Sequence, residues 1–291
     1  MIQEITAKTL LSSARQPDPW FGIKYTMNLY RGCQHQCIYC DSRSECYQIA
    51  GFDHDVLVKV NALDLLRDEL PRKRVKGTVG TGSMNDPYMP LEAQRGLTRG
   101  ALAIIAALRF PVHIITKSDL VLRDTDLLAE ISQVYAAVSF TVTAADDGLS
   151  REVEPAAPPT SRRFAALAEL SRRGVYTGVT MMPILPFIED NAANIAGIIA
   201  QAAAAGARYI LPAFGMTLRD RQRAYYYDQL DRRFPGLREK YEARFGEKYS
   251  AGANDAKKLE RLCGELCARH GIPTRMRHYA AAQPGQQLAL F

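Results

Sequence analysis

From Lys24 to Leu211 short runs rich in Val, Ile, Thr and Tyr alternate with helical patterns, and few folds accept that alternation. The strand candidates are Lys24–Tyr30, Val75–Thr81, Val112–Thr116, Ala136–Thr143, Tyr176–Met182 and Arg208–Leu211, each bounded by turn residues. Between them lie helical patterns over Asn61–Leu70, Gln94–Leu108, Thr125–Gln133, Ser161–Arg173 and Asn191–Ala204. The fourth of these sets Phe164, Leu167, Ala168 and Leu170 on one side and its arginines mostly on the other. Six strands each followed by helical sequence predict an α/β fold with a parallel sheet and right-handed crossovers. In barrels of this kind the functional groups sit at the C-terminal ends of the strands.

The loop after the first strand carries three cysteines in eight residues, Cys33, Cys37 and Cys40. An iron–sulfur cluster of the four-iron type has four corners, so three thiolates leave one iron open to a small molecule. The same thiolates with His35 or Cys46 would also make a tetrahedral zinc site. A disulfide suits this chain poorly, because Met1-Ile2-Gln3-Glu4-Ile5 lacks the basic and apolar regions of a secretion signal. The longest mildly apolar stretch, Asn194 to Ala205, is too short to span a membrane. A reducing cytoplasm is the expected location.

The C-x3-C-x2-C spacing, with Tyr39 just before the last cysteine, resembles the signature of the radical S-adenosylmethionine (SAM) superfamily. Asn28 to Cys33, Thr81 to Tyr88, Ile115 to Ser118 and Met182 to Pro186 fall at expected strand ends. With Val153-Glu154-Pro155 and Arg163 they resemble the branch related to spore photoproduct lyase, the DNA repair photolyase-like proteins. The resemblance implies a partial (β/α)6 TIM-like barrel holding a [4Fe-4S] cluster on Cys33, Cys37 and Cys40, with SAM chelating the open iron. It implies reductive cleavage of SAM to methionine and a 5′-deoxyadenosyl radical, with DNA as substrate, for lesion repair or base modification. An electron donor such as flavodoxin or ferredoxin is implied as well. Tyr39 is expected near the SAM adenine and the reacting centre, Ser83 and Asp86 near the SAM amino group, and Lys117 beside its carboxylate. Ser139, Thr141 and Thr143 share a strand face that would offer hydroxyls to the ribose.

Two positions depart from the lyase. Asp41 follows the third cysteine where the lyase has tyrosine, and Ser83 falls near the cysteine that returns a hydrogen atom to the product. A serine O–H is a far worse hydrogen-atom donor than a thiol. Cys46, close behind the cluster loop, is the candidate replacement. Cys263 and Cys267 share a helix face and read as buried thiols. RNA, a peptide or a small molecule are alternative substrates, and a non-catalytic metal-binding nucleic-acid adaptor is an alternative role.

The net charge is +6, and residues 208–277 hold 16 Lys and Arg against 9 Asp and Glu. That concentration predicts a polyanion-binding face. The domain plan is thus an irregular lead-in over 1–22, the barrel over 23–217, a basic helical extension over 218–280 and a flexible tail over 281–291. The extension is expected to form helices near Arg219–Phe234, Leu237–Phe245 and Asp255–His270, then a short strand. The tail ends in Gln287-Leu288-Ala289-Leu290-Phe291, which resembles the peptide motif that binds the bacterial DNA sliding clamp.

Overall fold

A computed structural model describes residues 1–49, 51–52 and 55–280. Its strands are β1 (Ile2–Ile5), β2 (Leu11–Ser13), β3 (Ile23–Met27), β4 (Tyr30–Arg31), β5 (Val56–Lys59), β6 (Thr78–Thr81), β7 (Val112–Thr116), β8 (Ala136–Thr141), β9 (Tyr176–Ile184), β10 (Ile210–Thr217) and β11 (Ser250–Gly252). The main sheet runs β2-β3-β6-β7-β8-β9-β10-β11. Its six inner strands, β3 and β6 to β10, are all parallel, whereas β2 and β11 close the two edges antiparallel. This is the expected six-stranded partial barrel. A small second sheet, β1-β5-β4, stands beside it.

Burial explains the alternation. Every residue of β8 is buried, as a parallel strand covered on both faces requires. Helix Leu97–Ala107 buries Thr98, Ala101, Leu102, Ile105 and Ala106, the spacing of one helical stripe. Asp146 and Asn191 accept hydrogen bonds from Leu149 N and Asn194 N, both at 2.9 Å, and so fix where two helices begin on the site side of the barrel.

Two expectations need correction. Residues 1–22 are not an irregular lead-in, since β1 and β2 both pair within sheets. In the extension, helices Asp220–Arg233, Leu237–Phe245 and Ala256–Arg269 form as expected, but the short strand comes before the last helix and pairs with β10. The extension also packs on the barrel, its last helix lying against helix Ala192–Ala204 and β10.

The N-terminal end of the barrel is plugged. Tyr135, Ala137, Tyr209, Leu211 and Met276 form a buried cluster, joined by Phe21, Tyr176 and Tyr279. Residues 273–279 reach into it: Pro273 O accepts from Ile210 N at 3.1 Å, Arg277 O from the Tyr135 hydroxyl at 2.7 Å, and Tyr176 Oη from Arg277 N at 2.8 Å. Gly22 has φ +66°, and a Cβ there would meet the His278 ring at 2.7 Å, so this crossing of the two chain ends needs glycine. The clamp-like residues Gln287, Leu288, Leu290 and Phe291 lie outside the described residues.

Candidate active site

At the opposite end, where the parallel strands terminate, a cavity of about 710 Å³ opens. Cys33, Cys37 and Cys40 all line it, together with Tyr39, Ser83, Asp86, Lys117 and Thr141 from the predicted set. Among the described residues no fourth cysteine does. Burial pushes the Cys33 thiol up to about 12, with Asp86 adding to the rise, and burial likewise raises Cys37 and Cys40. Burial by itself therefore favours neutral thiols, and a cationic metal centre is the kind of group that would draw three thiolates there. Three sulfurs in one cavity fit a cluster with one corner left open. The zinc alternatives fit less well, because the His35 ring is already engaged and Cys46 does not line the cavity.

The cysteine loop is held from three sides. His35 Nε2 lies 3.1 Å from Asp86 Oδ2. Asp86 Oδ2 also accepts from Lys117 N at 2.7 Å, and Oδ1 accepts from Thr116 Oγ1 at 2.7 Å and Tyr88 N at 2.8 Å. Burial alone would raise this carboxyl, but the charge and hydrogen bond of His35, aided by the bonds from Lys117 and Thr116, bring it down to about 2. Each oxygen thus has two partners, so Asp86 ties the loop to β6 and β7 and has no lone pair to spare for an ammonium. Gly82, with φ +102°, lets the loop after β6 pass close to β7, where a Cβ would sit 1.9 Å from Ile115 O.

The second hold is a buried ionic group. Glu154 Oε2 is 2.5 Å from Arg163 Nη1, and Oε1 accepts a short hydrogen bond from the Tyr39 hydroxyl and lies 3.7 Å from Lys117 Nζ. Arg163, fully buried, also donates to Pro158 O at 2.6 Å and Thr141 O at 2.9 Å. Burial opposes ionisation of Glu154, but Arg163, then Lys117 and Tyr39, hold it below the usual carboxylate range. Burial, and next the Glu154 charge, keep the Tyr39 phenol well above its ordinary value, so Tyr39 is a fixed hydrogen-bonded phenol. Lys117 Nζ stands 5.7 Å from the Tyr39 ring centre. Burial pulls its pKa down, yet Cys37 and Glu154 more than offset this, and the ammonium stays charged.

The third hold comes from the extension. Gln222 Nε2 donates to Tyr39 O at 3.1 Å, Asp220 accepts from Ser44 Oγ at 2.8 Å and Glu45 N at 3.1 Å, and Arg221 Nη2 donates to Ile49 O at 2.6 Å. Arg219 Nε is 2.9 Å from Asp41 Oδ1, which also accepts from Thr217 Oγ1 at 2.6 Å. Sequence reasoning missed this clamp, and the arginines it uses point at the loop rather than at solvent.

Three predicted residues fall elsewhere. Ser139 is wholly buried below the cavity, its Oγ 2.7 Å from both His113 Nε2 and the Tyr209 hydroxyl, so it offers nothing to a ribose. Thr141, two residues on, lines the cavity and pairs with Thr180 Oγ1 at 2.9 Å. Cys46 is exposed; Ser44 Oγ and Arg219 Nη1 approach its sulfur at 3.3 and 3.5 Å outside the cavity. Thr143 is buried and does not line the cavity either. Ser83 is exposed at the cavity wall, and its side chain makes no hydrogen bond with the described residues.

The model of the radical SAM superfamily matches residues 27–196. An uncharacterised protein of Mycobacterium tuberculosis (strain ATCC 25618 / H37Rv) is 34% identical over 226 residues, which are 75% of this chain and 66% of that relative's length. An uncharacterised protein of Methanocaldococcus jannaschii is 35% identical over 191 residues, 65% of this chain and 70% of the relative. Among solved structures, a spore photoproduct lyase variant with bound AdoMet and dinucleoside spore photoproduct superimposes with a TM-score of 0.72 at 17% identity, covering 94% of this chain and 81% of that one. That last likeness is one of fold.

Proposed function

Because this chain belongs to the radical SAM superfamily, we propose that it binds a [4Fe-4S] cluster and SAM and cleaves SAM reductively to act on DNA. The observation that carries the reading is the meeting of Cys33, Cys37, Cys40 and the Lys117 ammonium in one cavity at the strand ends. When bound, the cluster supplies the electron that splits SAM into methionine and a 5′-deoxyadenosyl radical. The chain's own residues hold and orient. The three cysteines ligate iron. Lys117 offers its remaining N–H donors to the SAM carboxylate, the Tyr39 ring forms a wall fixed through Glu154, and Ser83, Thr141 and Thr180 supply hydroxyls.

DNA as substrate is supported by the fold likeness to spore photoproduct lyase and by the net charge. A base must leave the stack to reach such a cavity. Among the described residues the cavity wall holds no thiol besides the three cluster cysteines. This favours base modification, or repair with another hydrogen donor, over the lyase's thiol relay. We further propose that Gln287, Leu288, Leu290 and Phe291 tether the protein to the sliding clamp. The described chain ends near the plugged end of the barrel, away from the cavity. A peptide of residues 280–291 binding purified clamp no better than its Leu290→Ala, Phe291→Ala form would end that idea.

The main test is anaerobic reconstitution with iron and sulfide, followed by reduction with dithionite in the presence of SAM labelled with deuterium at the 5′ position. A brown protein that yields 5′-deoxyadenosine and passes label to or from an oligonucleotide supports the reading. Exchange with RNA or peptide but not DNA would move the substrate class, and no SAM cleavage by a cluster-replete protein would overturn the enzyme.

A further inference from the structure

In a parallel sheet every segment that enters a strand lies at the same end, and here that is the plugged end. Those segments are basic. Lys73, Arg74 and Lys76 precede β6, Arg109 precedes β7 and Arg208 precedes β10. The segment that forms the plug adds Arg275 and Arg277. None of residues 71–77, 108–111, 173–175, 205–209 and 271–280 is Asp or Glu. Lys76 Nζ donates to Leu108 O at 3.3 Å and to Arg109 O at 3.2 Å, so the turns before β6 and β7 share one patch.

Internal contacts do not use up this charge. Arg74, Arg109, Arg208 and Arg275 are exposed and make no side-chain hydrogen bond or ion pair with the described residues. Arg208 and Arg277 line a groove of about 500 Å³ with Tyr176 and His270, and no carboxylate lines it. The Arg277 guanidinium rests 5.2 Å from the Tyr176 ring centre, which holds it at the groove. His270 caps the end of helix Ala256–Arg269, where a cation offsets the helix dipole, so its charge has a local use. At the cavity end the charges are mixed instead: Asp119, Asp147 and Glu152 pair with Arg162, Arg151 and Arg233.

An aromatic ring stands on the same face. Trp20, 47% exposed, sits in a turn that Asp18 fixes by accepting from Trp20 N at 3.0 Å, Phe21 N at 2.7 Å and Ile23 N at 2.7 Å. His278 Nε2 lies 3.3 Å from Trp20 O, so this turn adjoins the segment that carries Arg275 and Arg277. Unpaired guanidinium groups along a face, with a rigidly held indole among them, match a chain of phosphates and stackable bases. We propose that the plugged end of the barrel binds a polynucleotide. Arg74, Arg109, Arg208, Arg275 and Arg277 meet its phosphodiester backbone, and Trp20 stacks on an unpaired base. The contact is separate from the cavity and independent of the chemistry there. It holds the protein on its polymer without reading sequence. An anionic membrane is the other surface to consider. Trp20 and Val75, the exposed large apolar side chains of this face, are too few for the apolar stripe that a bilayer takes up, and forked guanidinium groups suit phosphodiesters, so the polynucleotide is favoured.

The chain has one tryptophan, so its emission reports on this face. Full-length protein is titrated with single-stranded and duplex oligonucleotides of DNA and of RNA at several salt concentrations, and Trp20 emission is followed alongside. Single strands should quench Trp20, and the logarithm of affinity should fall linearly with the logarithm of salt. Arg208→Gln combined with Arg275→Gln should weaken binding about tenfold at low salt and make that slope shallower by about 1.4 for single strands. Trp20→Leu should weaken single-strand binding about tenfold and change duplex binding little. Arg151→Gln combined with Arg162→Gln, the same charge change at the cavity end, should bind as the parent does. Binding of DNA or of RNA in this pattern supports the assignment, and the tighter of the two names the polymer. Equal binding by the parent and the Arg208, Arg275 variant, or equal losses in the two double variants, would overturn it. So would tight binding that leaves Trp20 emission unchanged, or binding to vesicles of equal parts phosphatidylcholine and phosphatidylserine with none to oligonucleotides. A protein that binds in the expected pattern yet never cleaves SAM keeps this assignment and loses only the reading of the cavity.

Discussion

The two ends of the barrel are filled by opposite kinds of chemistry. At the C-terminal end the interior holds Glu154, Arg163, Lys117, Asp86 and His35, charged groups locked to one another beneath a cavity. At the N-terminal end it holds Tyr135, Tyr176, Tyr209 and Tyr279, together with Phe21, which also lines the cavity, and with neutral His113 bonded to Ser139 and Ser139 to Tyr209. One end spends stability to hold ions out of water, and the other is a closed aromatic plug. The difference teaches where the molecule can be altered without touching its chemistry. A defect at the plug should read as lost stability alone, while one at the ionic end should read in cofactor retention as well.

The largest effect is expected at the sulfurs. Cys33→Ala, Cys37→Ala and Cys40→Ala should each lose the bound iron and all 5′-deoxyadenosine formation, while the apo fold melts as the parent apo protein does. Iron assay, product chromatography and circular dichroism check this, and full activity in any one variant would remove that residue from the ligand set.

Next comes Arg163→Met. It strips the buried Glu154 carboxylate of its nearest cation, a change that typically costs about 3–5 kcal/mol. Because Glu154 also anchors Tyr39, cluster content should fall with stability. Urea denaturation and iron assay on the same samples would separate the ionic end from the plug, since Tyr209→Phe should cost about 1 kcal/mol and leave iron untouched.

These contrasts also show how far the sequence could be read. Hydrophobic spacing predicted the six parallel strands and the helices between them, because two-sided burial leaves a pattern of Val, Ile and Thr that turns then punctuate. The strands it missed, β1, β2, β5 and β11, are three or four residues long, and β1, β2 and β11 are largely exposed, so no periodicity marks those three. The cysteine spacing announced the site outright. Period-two alternation correctly put Ser139 and Thr141 on one face, but not their depth; one lies under the cavity and the other on its wall. The charge count overstates the free basic surface for a similar reason. Arg219, Arg221 and Arg223 cap carboxylates and carbonyls of the loop and turns, so part of the basic excess is internal to the structure. No linear pattern distinguishes an arginine aimed at a backbone carbonyl from one aimed at a phosphate.

The two ends also differ in their response to pH. Burial lowers His113, at the plug, from 6.5 to about 3. The unfolded chain then binds a proton that the folded one refuses, and stability should be lost as pH falls from about 6.5 toward 3. Burial raises Glu189, in the loop after β9, from 4.5 to about 8, with the neighbouring Glu154 adding to the rise and Thr143, Leu185 N and Arg163 opposing it. Here the unfolded chain releases a proton that the folded one keeps, and stability should be lost as pH rises from about 4.5 to 8. Asp86 and Glu154, both lowered, add their own losses at the acid extreme. Glu189→Gln should flatten the alkaline limb and His113→Gln should soften the acid one, as urea midpoints across pH would show. If either substitution flattened both limbs, the two ends would not be titrating independently.

The smallest effect, and the sharpest discrimination, is expected at Lys117. Its ammonium lines the cavity but sits 3.7 Å from Glu154, too far for a strong hydrogen bond, and Glu154 already has Arg163 and Tyr39. Removing it should therefore leave the ionic group standing, unlike the loss of Arg163. What disappears is a cation free to meet the carboxylate of SAM, an interaction between a charged donor and a charged acceptor. Lys117→Ala should weaken SAM binding by about tenfold, with iron content and the urea midpoint close to the parent values. Equilibrium binding of SAM to the reconstituted variant is the measurement. Unchanged affinity in a cluster-replete sample would make Lys117 only a counter-charge for Glu154, and the cavity would need another group to hold the carboxylate. A large fall in iron content would instead show that the ionic end cannot lose even its outermost member without releasing the loop that carries the sulfurs.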